Sequence, residues 1–102
     1  MMSLNLETLE KKLKDNKVVL VDFWAQWCGP CRMLEPVIDD VANLFPNNTG
    51  KVNVEENKDL AAKYGVRALP TVIIFKDGEV MERIPGVSPK SHYIDKIKYY
   101  LN

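Results

Sequence analysis

The sequence predicts an α/β fold, a three-layer α/β/α sandwich around a central mixed sheet of four or five strands. Three observations carry that expectation. Val18–Phe23 is apolar on both faces rather than alternating, the pattern of a central strand covered by helices on either side. Helical periodicity flanks it, at Asn5–Asp15 before and Cys28–Leu44 after. Asp77-Gly78 then joins two short apolar runs, a hairpin signal, so the sheet mixes a parallel βαβ part with an antiparallel pair.

The elements follow in order. Asn5–Asp15 has Leu6, Leu9 and Leu13 at helical spacing, with Asn5 as N-cap. Val18–Phe23 is the central strand. Cys28–Leu44 reads as a helix with Pro30 in its first turn, where no amide partner is lost. Its apolar stripe is Cys31, Leu34, Ile38, Val41 and Phe45, and Pro36 is expected to kink it. Pro46-Asn47-Asn48-Thr49-Gly50 breaks the chain, and Lys51–Val54 forms a short strand. Lys58–Tyr64 is a short helix closed by Gly65. Thr71–Phe75 and Val80–Ile84 are the hairpin strands. In the last helix Ser88 is the expected cap and Pro89 the first residue. Its buried face is Tyr93, Ile94, Ile97, Tyr100 and Leu101.

Composition bounds the function. With 102 residues and no linker or repeat, the chain 1–102 is read as a single domain. Fourteen basic and 14 acidic side chains leave no excess charge to grip nucleic acid or an anionic membrane. The longest apolar runs are far short of a membrane span. No basic segment followed by an apolar one opens the chain, so the expected compartment is cytoplasmic. Two cysteines are too few for a disulfide scaffold. The chain is read as a monomer.

Both cysteines lie in Trp27-Cys28-Gly29-Pro30-Cys31, directly after the central strand and opening a helix. In a βαβ setting this spacing points to redox chemistry. Residues three apart share one side of a helical turn, so the sulfurs can meet. Cys28, at the helix N-terminus, has free amides and the positive dipole end beside it, which stabilise a thiolate. Cys28 is therefore the expected nucleophile and Cys31 the resolving thiol. A zinc site needs four ligands. The chain offers two Cys and the distant His92, which reads as a surface residue; a Cys₄ site shared by two copies and a pair of inert thiols stay open.

Asp22 interrupts the apolar strand. A buried carboxyl there is costly when charged, so its pKa should rise. It could then accept the proton of Cys31, through a water, rather than merely cap a loop amide. Lys51 begins the next strand and could tune Asp22. Pro70 opens a strand, where its missing donor is tolerated. Trp27 is expected on the rim of a substrate groove, and Trp24 in packing support.

Val21-Asp22-Phe23-Trp24-Ala25-Gln26-Trp27-Cys28-Gly29-Pro30-Cys31 resembles the active-site segment of the thioredoxin family almost residue for residue. The likeness continues through Met33, Pro36, Lys51-Val52-Asn53-Val54, Tyr64-Gly65-Val66-Arg67, Leu69-Pro70-Thr71, Phe75-Lys76-Asp77-Gly78-Glu79 and Gly86. It spans about Val18 to Leu101. The resemblance implies a thioredoxin-like sandwich and a protein-disulfide reductase with a redox-active Cys28–Cys31 disulfide and no cofactor of its own. It implies a cis Leu69–Pro70 bond facing the cysteines. It implies a client surface of Trp27, Gly29, Pro30, Arg67, Ala68, Leu69, Pro70, Gly86 and Val87, with Asp22 and Lys51 assisting the buried thiol. Electrons would come from NADPH through a flavin-containing thioredoxin reductase. Clients would include ribonucleotide reductase, peroxiredoxin and methionine sulfoxide reductase.

Three departures from the family pattern stand out. The first strand is cut to about Ser3–Asn5 or is absent. Ala68 adds bulk beside the groove, and Glu35 places a carboxylate one turn beyond Cys31, with an outward orientation expected. Alternative roles are a dedicated redox partner, an isomerase or oxidase of the same fold, or a binding module with incidental thiols.

Overall fold

A computed structural model describes all residues 1–102. The elements are α1 (Leu6–Asp15), β1 (Val18–Trp24), α2 (Gly29–Leu44), β2 (Thr49–Asn53), α3 (Lys58–Lys63), β3 (Thr71–Lys76), β4 (Glu79–Pro85) and α4 (Lys90–Leu101). The four strands form one sheet in the order β2-β1-β3-β4. β1 is parallel to β2 and antiparallel to β3, and β3 is antiparallel to β4. The mixed sheet predicted from the sequence is the one observed. The truncated first strand survives only as a bridge from Ser3 to Lys51, held by Leu4 N–H donating to the Lys51 carbonyl at 2.8 Å.

The alternation of β1 divides the interior in two. Val19, Val21 and Phe23 pack with Leu4, Leu9, Leu13 and Leu60, on the side of α1 and α3. Val18 and Leu20 pack with Leu34, Ile38, Val41, Tyr93 and Ile97, on the side of α2 and α4. Each such side chain taken from water contributes roughly 1.5–3 kcal/mol. An exposed i,i+4 pair such as Lys11–Asp15, 2.9 Å apart, contributes about 0.3–0.5 kcal/mol. Burial against the two faces of β1 therefore holds the sandwich together.

Local signals fix several boundaries. Asn5 caps α1 reciprocally, its Oδ1 accepting from Thr8 N–H at 2.9 Å while its own N–H donates to Thr8 Oγ1 at 2.8 Å. Asp77 and Gly78 both have positive φ, 53° and 80°, the condition of a two-residue hairpin turn between paired Lys76 and Glu79. The ladder slips one residue beyond that turn. Val80 consequently packs toward the α1/α3 side, whereas Glu82 lies opposite Ile74 on the other.

Other expectations need correction. Leu6 is exposed, and Leu4 fills the core position instead, because the chain before α1 lies against β2. β2 begins at Thr49, not Lys51. The breaker cluster makes only a single 3₁₀ turn over Pro46–Asn48, and Thr49 is already paired with Leu20. Gly50 is buried under Leu4; a Cβ there would overlap Leu4 Cδ1 and sit 3.1 Å from Leu4 Cγ. Ser88 does not cap α4. The helix starts at Lys90 with Pro89 as its N-cap, while Ser88 N–H donates to the Tyr93 hydroxyl at 3.0 Å. Leu101 is exposed at the end of α4.

The topology gathers one end of the sheet. β1 and β2 finish there, β3 begins there and β4 finishes there, since Phe23 pairs with Thr71, Thr71 with Pro85, and Trp24 with Asn53. Four connections therefore meet: the cysteine loop, the chain after Asn53, the segment Arg67–Pro70, and Gly86–Val87. The carboxyl ends of strands in such sheets are where ligands are commonly met.

Candidate active site

Cys28 is the N-cap of α2, and Cys31 lies one turn in. They are joined by a disulfide with their Cα atoms 5.3 Å apart. Pro30 brings no N–H to the helix start, and a Cβ on Gly29 would meet nothing within 4 Å, so the turn between the cysteines is uncovered at Gly29. Cys31 N–H donates to Cys28 Sγ at 3.2 Å, which makes the Cys28 sulfur the cap of the helix. Cys28 and Cys31 are 4% and 3% exposed, so burial does not separate them. The helix terminus does, since its amides and dipole act on Cys28.

The pair forms a small cluster with Ala25, against which Trp24, Val54 and Leu69 pack. The Leu69–Pro70 bond is cis, and Pro70 is buried. Ala68, exposed beside Leu69, accepts at its carbonyl from the Thr71 hydroxyl at 2.6 Å. Gly86 N–H donates to the Pro70 carbonyl at 2.9 Å, bringing Gly86 and exposed Val87 to the same rim. Gly29, Pro30 and Arg67 are also exposed there. Trp27, 67% exposed, walls a shallow depression of about 280 Å³ with Arg67, Leu69, Val54, Ala61 and Val66. Val54, Ala61 and Val66 are lining residues that the sequence reading missed. Each adjoins an element already recognised, β2 or α3, but nothing local marks its inward direction.

Asp22 lies in the register of Val18 and Leu20, on the α2 face of the sheet, and is 3% exposed. Its Oδ1 has no hydrogen-bond partner. Burial pushes its pKa up to about 7; Lys51 pulls it down, while Glu35 and Asp39 of α2 add to the rise. Asp22 and Lys51 are register partners across β1 and β2. Lys51 does not close an ion pair with Asp22; its Nζ lies 5.4 Å from the centroid of the Trp24 ring. It acts on the carboxyl through space and secures Trp24 by a cation–π contact. Glu35 is exposed, as expected of an outward side chain.

No group of three or more His, Cys, Asp or Glu is assembled that could hold a metal ion. No helix is long and apolar enough to cross a membrane. The reactive group of the site is the cysteine pair itself.

A vicinal cysteine pair that opens a helix at the carboxyl end of a central strand, with an exposed tryptophan and an apolar rim, defines a thiol–disulfide oxidoreductase. Known proteins agree. The sequence model of the family described as Thioredoxin matches residues 1–99. A thioredoxin of Pyropia yezoensis is 41% identical over 95 residues, 91% of this chain and 89% of that protein. Thioredoxin 1 of Synechococcus elongatus is 42% identical over 94 residues, 90% of this chain and 88% of its own. The solved structure of a mutant thioredoxin from Halobacterium salinarum NRC-1 superimposes with a TM-score of 0.89 at 40% identity, covering 99% of this chain and 92% of that one. The chain belongs to the thioredoxin family. Its activity is protein thiol–disulfide reduction, and members of this family work with disulfide-containing clients and a thioredoxin reductase.

Proposed function

We propose that Cys28 attacks and Cys31 resolves. The Cys28 thiolate attacks one sulfur of a client disulfide. That bond breaks, a Cys28–client mixed disulfide forms, and the other client sulfur leaves as a thiolate that takes up a proton. Asp22, ionised at that point, accepts the Cys31 proton through a water. The Cys31 thiolate then attacks Cys28 Sγ, forming the Cys28–Cys31 disulfide and releasing the second client thiolate. Two electrons pass from the dithiol to the client. Lys51 keeps Asp22 ionisable near neutral pH despite its burial.

The single observation that carries the assignment is the Cys31 amide on Cys28 Sγ at 3.2 Å, at the N-terminus of a 16-residue helix. The same amide and dipole would favour a thiolate on Cys28 in the reduced protein, and none is arranged around Cys31. The client is read as an extended segment lying over Trp27, Gly29 and Pro30, between Arg67-Ala68-Leu69-Pro70 and Gly86-Val87. Its backbone pairs with Leu69 and its side chains rest on apolar surface.

The electron source is read as NADPH through a flavin-containing thioredoxin reductase. The clients are read as proteins with strained or exposed disulfides, ribonucleotide reductase, peroxiredoxin and methionine sulfoxide reductase among them. A reducing compartment such as the cytosol is the setting this chemistry requires. The test is coupled turnover with NADPH, a thioredoxin reductase and insulin. NADPH should be consumed as insulin disulfides open, and Cys28→Ser should abolish it. Turnover that persists in Cys28→Ser, or no NADPH consumption with any reductase, overturns the reading.

A further inference from the structure

Arg83 is an exposed residue of the edge strand β4, where a cation ordinarily serves only to discourage strand pairing. Here it makes a specific contact. Its guanidinium donates to the carbonyl of Tyr64, nineteen positions earlier in the chain. Arg83 is paired with Ile73, so its side chain lies on the α1/α3 face of the sheet, toward the end of α3.

The carbonyl it takes is one that the helix end leaves over. α3 closes with Gly65 N–H donating to Ala62 O at 3.2 Å and Val66 N–H to Ala61 O at 2.8 Å, while Gly65 has φ +65°. That is a Schellman closure, which satisfies Ala61 and Ala62 but not the cap residue Tyr64. Arg83 supplies the missing donor. A Cβ at Gly65 would lie 3.9 Å from Arg83 Nη1 and 4.0 Å from Nη2, so the guanidinium is seated against the turn itself.

This turn aims the groove wall. Val66, Arg67 and Leu69 follow it within four residues, and all three line the depression beside Trp27. The far end of the same segment is fixed by Gly86 N–H on the Pro70 carbonyl, three residues beyond Arg83 and directly after β4. β4 and the residue that follows it therefore grip the segment 64–70 at both ends, at Tyr64 by a side chain and at Pro70 by a backbone amide.

We propose that Arg83 is a positioning residue for client binding: by holding the Tyr64 carbonyl from β4 it sets the wall Val66–Leu69 against which a protein disulfide docks. The proposal rests on the client groove described above. At this exposed position the net worth of one such hydrogen bond corresponds to about a five- to tenfold change in an equilibrium.

The test uses single-turnover reduction of insulin by the pre-reduced protein. Arg83→Met should raise the insulin concentration at half-saturation about five- to tenfold, with the limiting rate unchanged. Reduction of 5,5′-dithiobis(2-nitrobenzoate), which needs no groove, should keep its rate. Arg83→Lys should recover part of the loss, and hydrogen exchange at Gly65–Leu69 should quicken most in Arg83→Met and less in Arg83→Lys. Should Arg83→Met not fold, Arg83→Leu, which also carries no donor, replaces it. Unchanged half-saturation with a lowered Tm gives Arg83 a purely structural role and overturns the proposal, as does an equal loss on both substrates. Trp27→Ala separates the two readings. If it weakens insulin binding while Arg83→Met does not, the clamp fails and the groove stands. If neither matters, both fail.

Discussion

Replacing Asp22 by Asn should stabilise the oxidised protein, and by an amount that depends on pH. The cause is proton binding. In the unfolded chain this carboxyl ionises at its ordinary value of 3.8, but in the fold it holds its proton up to about 7. Between those values the folded state binds more protons than the unfolded one, so stability falls as pH rises. The loss is absent below 3.8 and complete above about 7. At roughly 1.4 kcal/mol per unit, the full penalty is about 4 kcal/mol. By pH 5 a little over a third has been incurred. A carboxamide does not titrate, so the advantage of Asp22→Asn should grow by about 3 kcal/mol from pH 5 to pH 8. Any constant effect of the amide on packing or hydrogen bonding cancels in that difference. The assay is urea unfolding of both proteins in the disulfide form, where neither cysteine titrates. A difference in stability that is flat across pH 5–8 would defeat this account, because it would mean Asp22 is already ionised in the fold. The same variant should release the mixed disulfide more slowly; an unchanged release rate removes Asp22 from the proton path.

Cys31→Ser should trap a client on Cys28 as a stable mixed disulfide, visible by mass spectrometry and lost in the Cys28→Ser, Cys31→Ser double variant. Gly50→Ala should cost about 1–3 kcal/mol by pressing a methyl into buried Leu4, and less in a Leu4→Ala background, as urea unfolding would report. Ser88→Ala should change stability by less than about 0.5 kcal/mol, since its side chain caps nothing. Tyr93→Phe should cost about 1 kcal/mol or more, because it removes the acceptor of the Ser88 amide; a reversed ranking in thermal unfolding would restore Ser88 as the cap.

Whatever depends on neighbours along the chain was legible in the residues alone. Asn5 announces the start of α1, and Asp77-Gly78 demands positive φ and so a hairpin. The unbroken apolar run Val18–Val21 demands cover on both faces. Cys28 and Cys31, three apart at a helix start, sit close enough to bond in any fold that forms that helix, so the reactive pair was evident at once. Even the burial of Asp22 could be read, because it stands inside that run. Other features followed only from which strands become neighbours. Leu4 rather than Leu6 enters the core because β2 receives the N-terminal chain over Gly50. Ser88 turns its amide to Tyr93 instead of capping α4. Lys51 lies over Trp24 rather than pairing with Asp22, although both readings place it beside that carboxyl. Val54, Ala61 and Val66 join the groove only because four loops meet at one end of the sheet. Arg83 finds the Tyr64 carbonyl across nineteen residues of chain. Periodicity and turn chemistry are properties of a few consecutive dihedrals and side chains, whereas these contacts exist only once strand order and register have brought distant segments together.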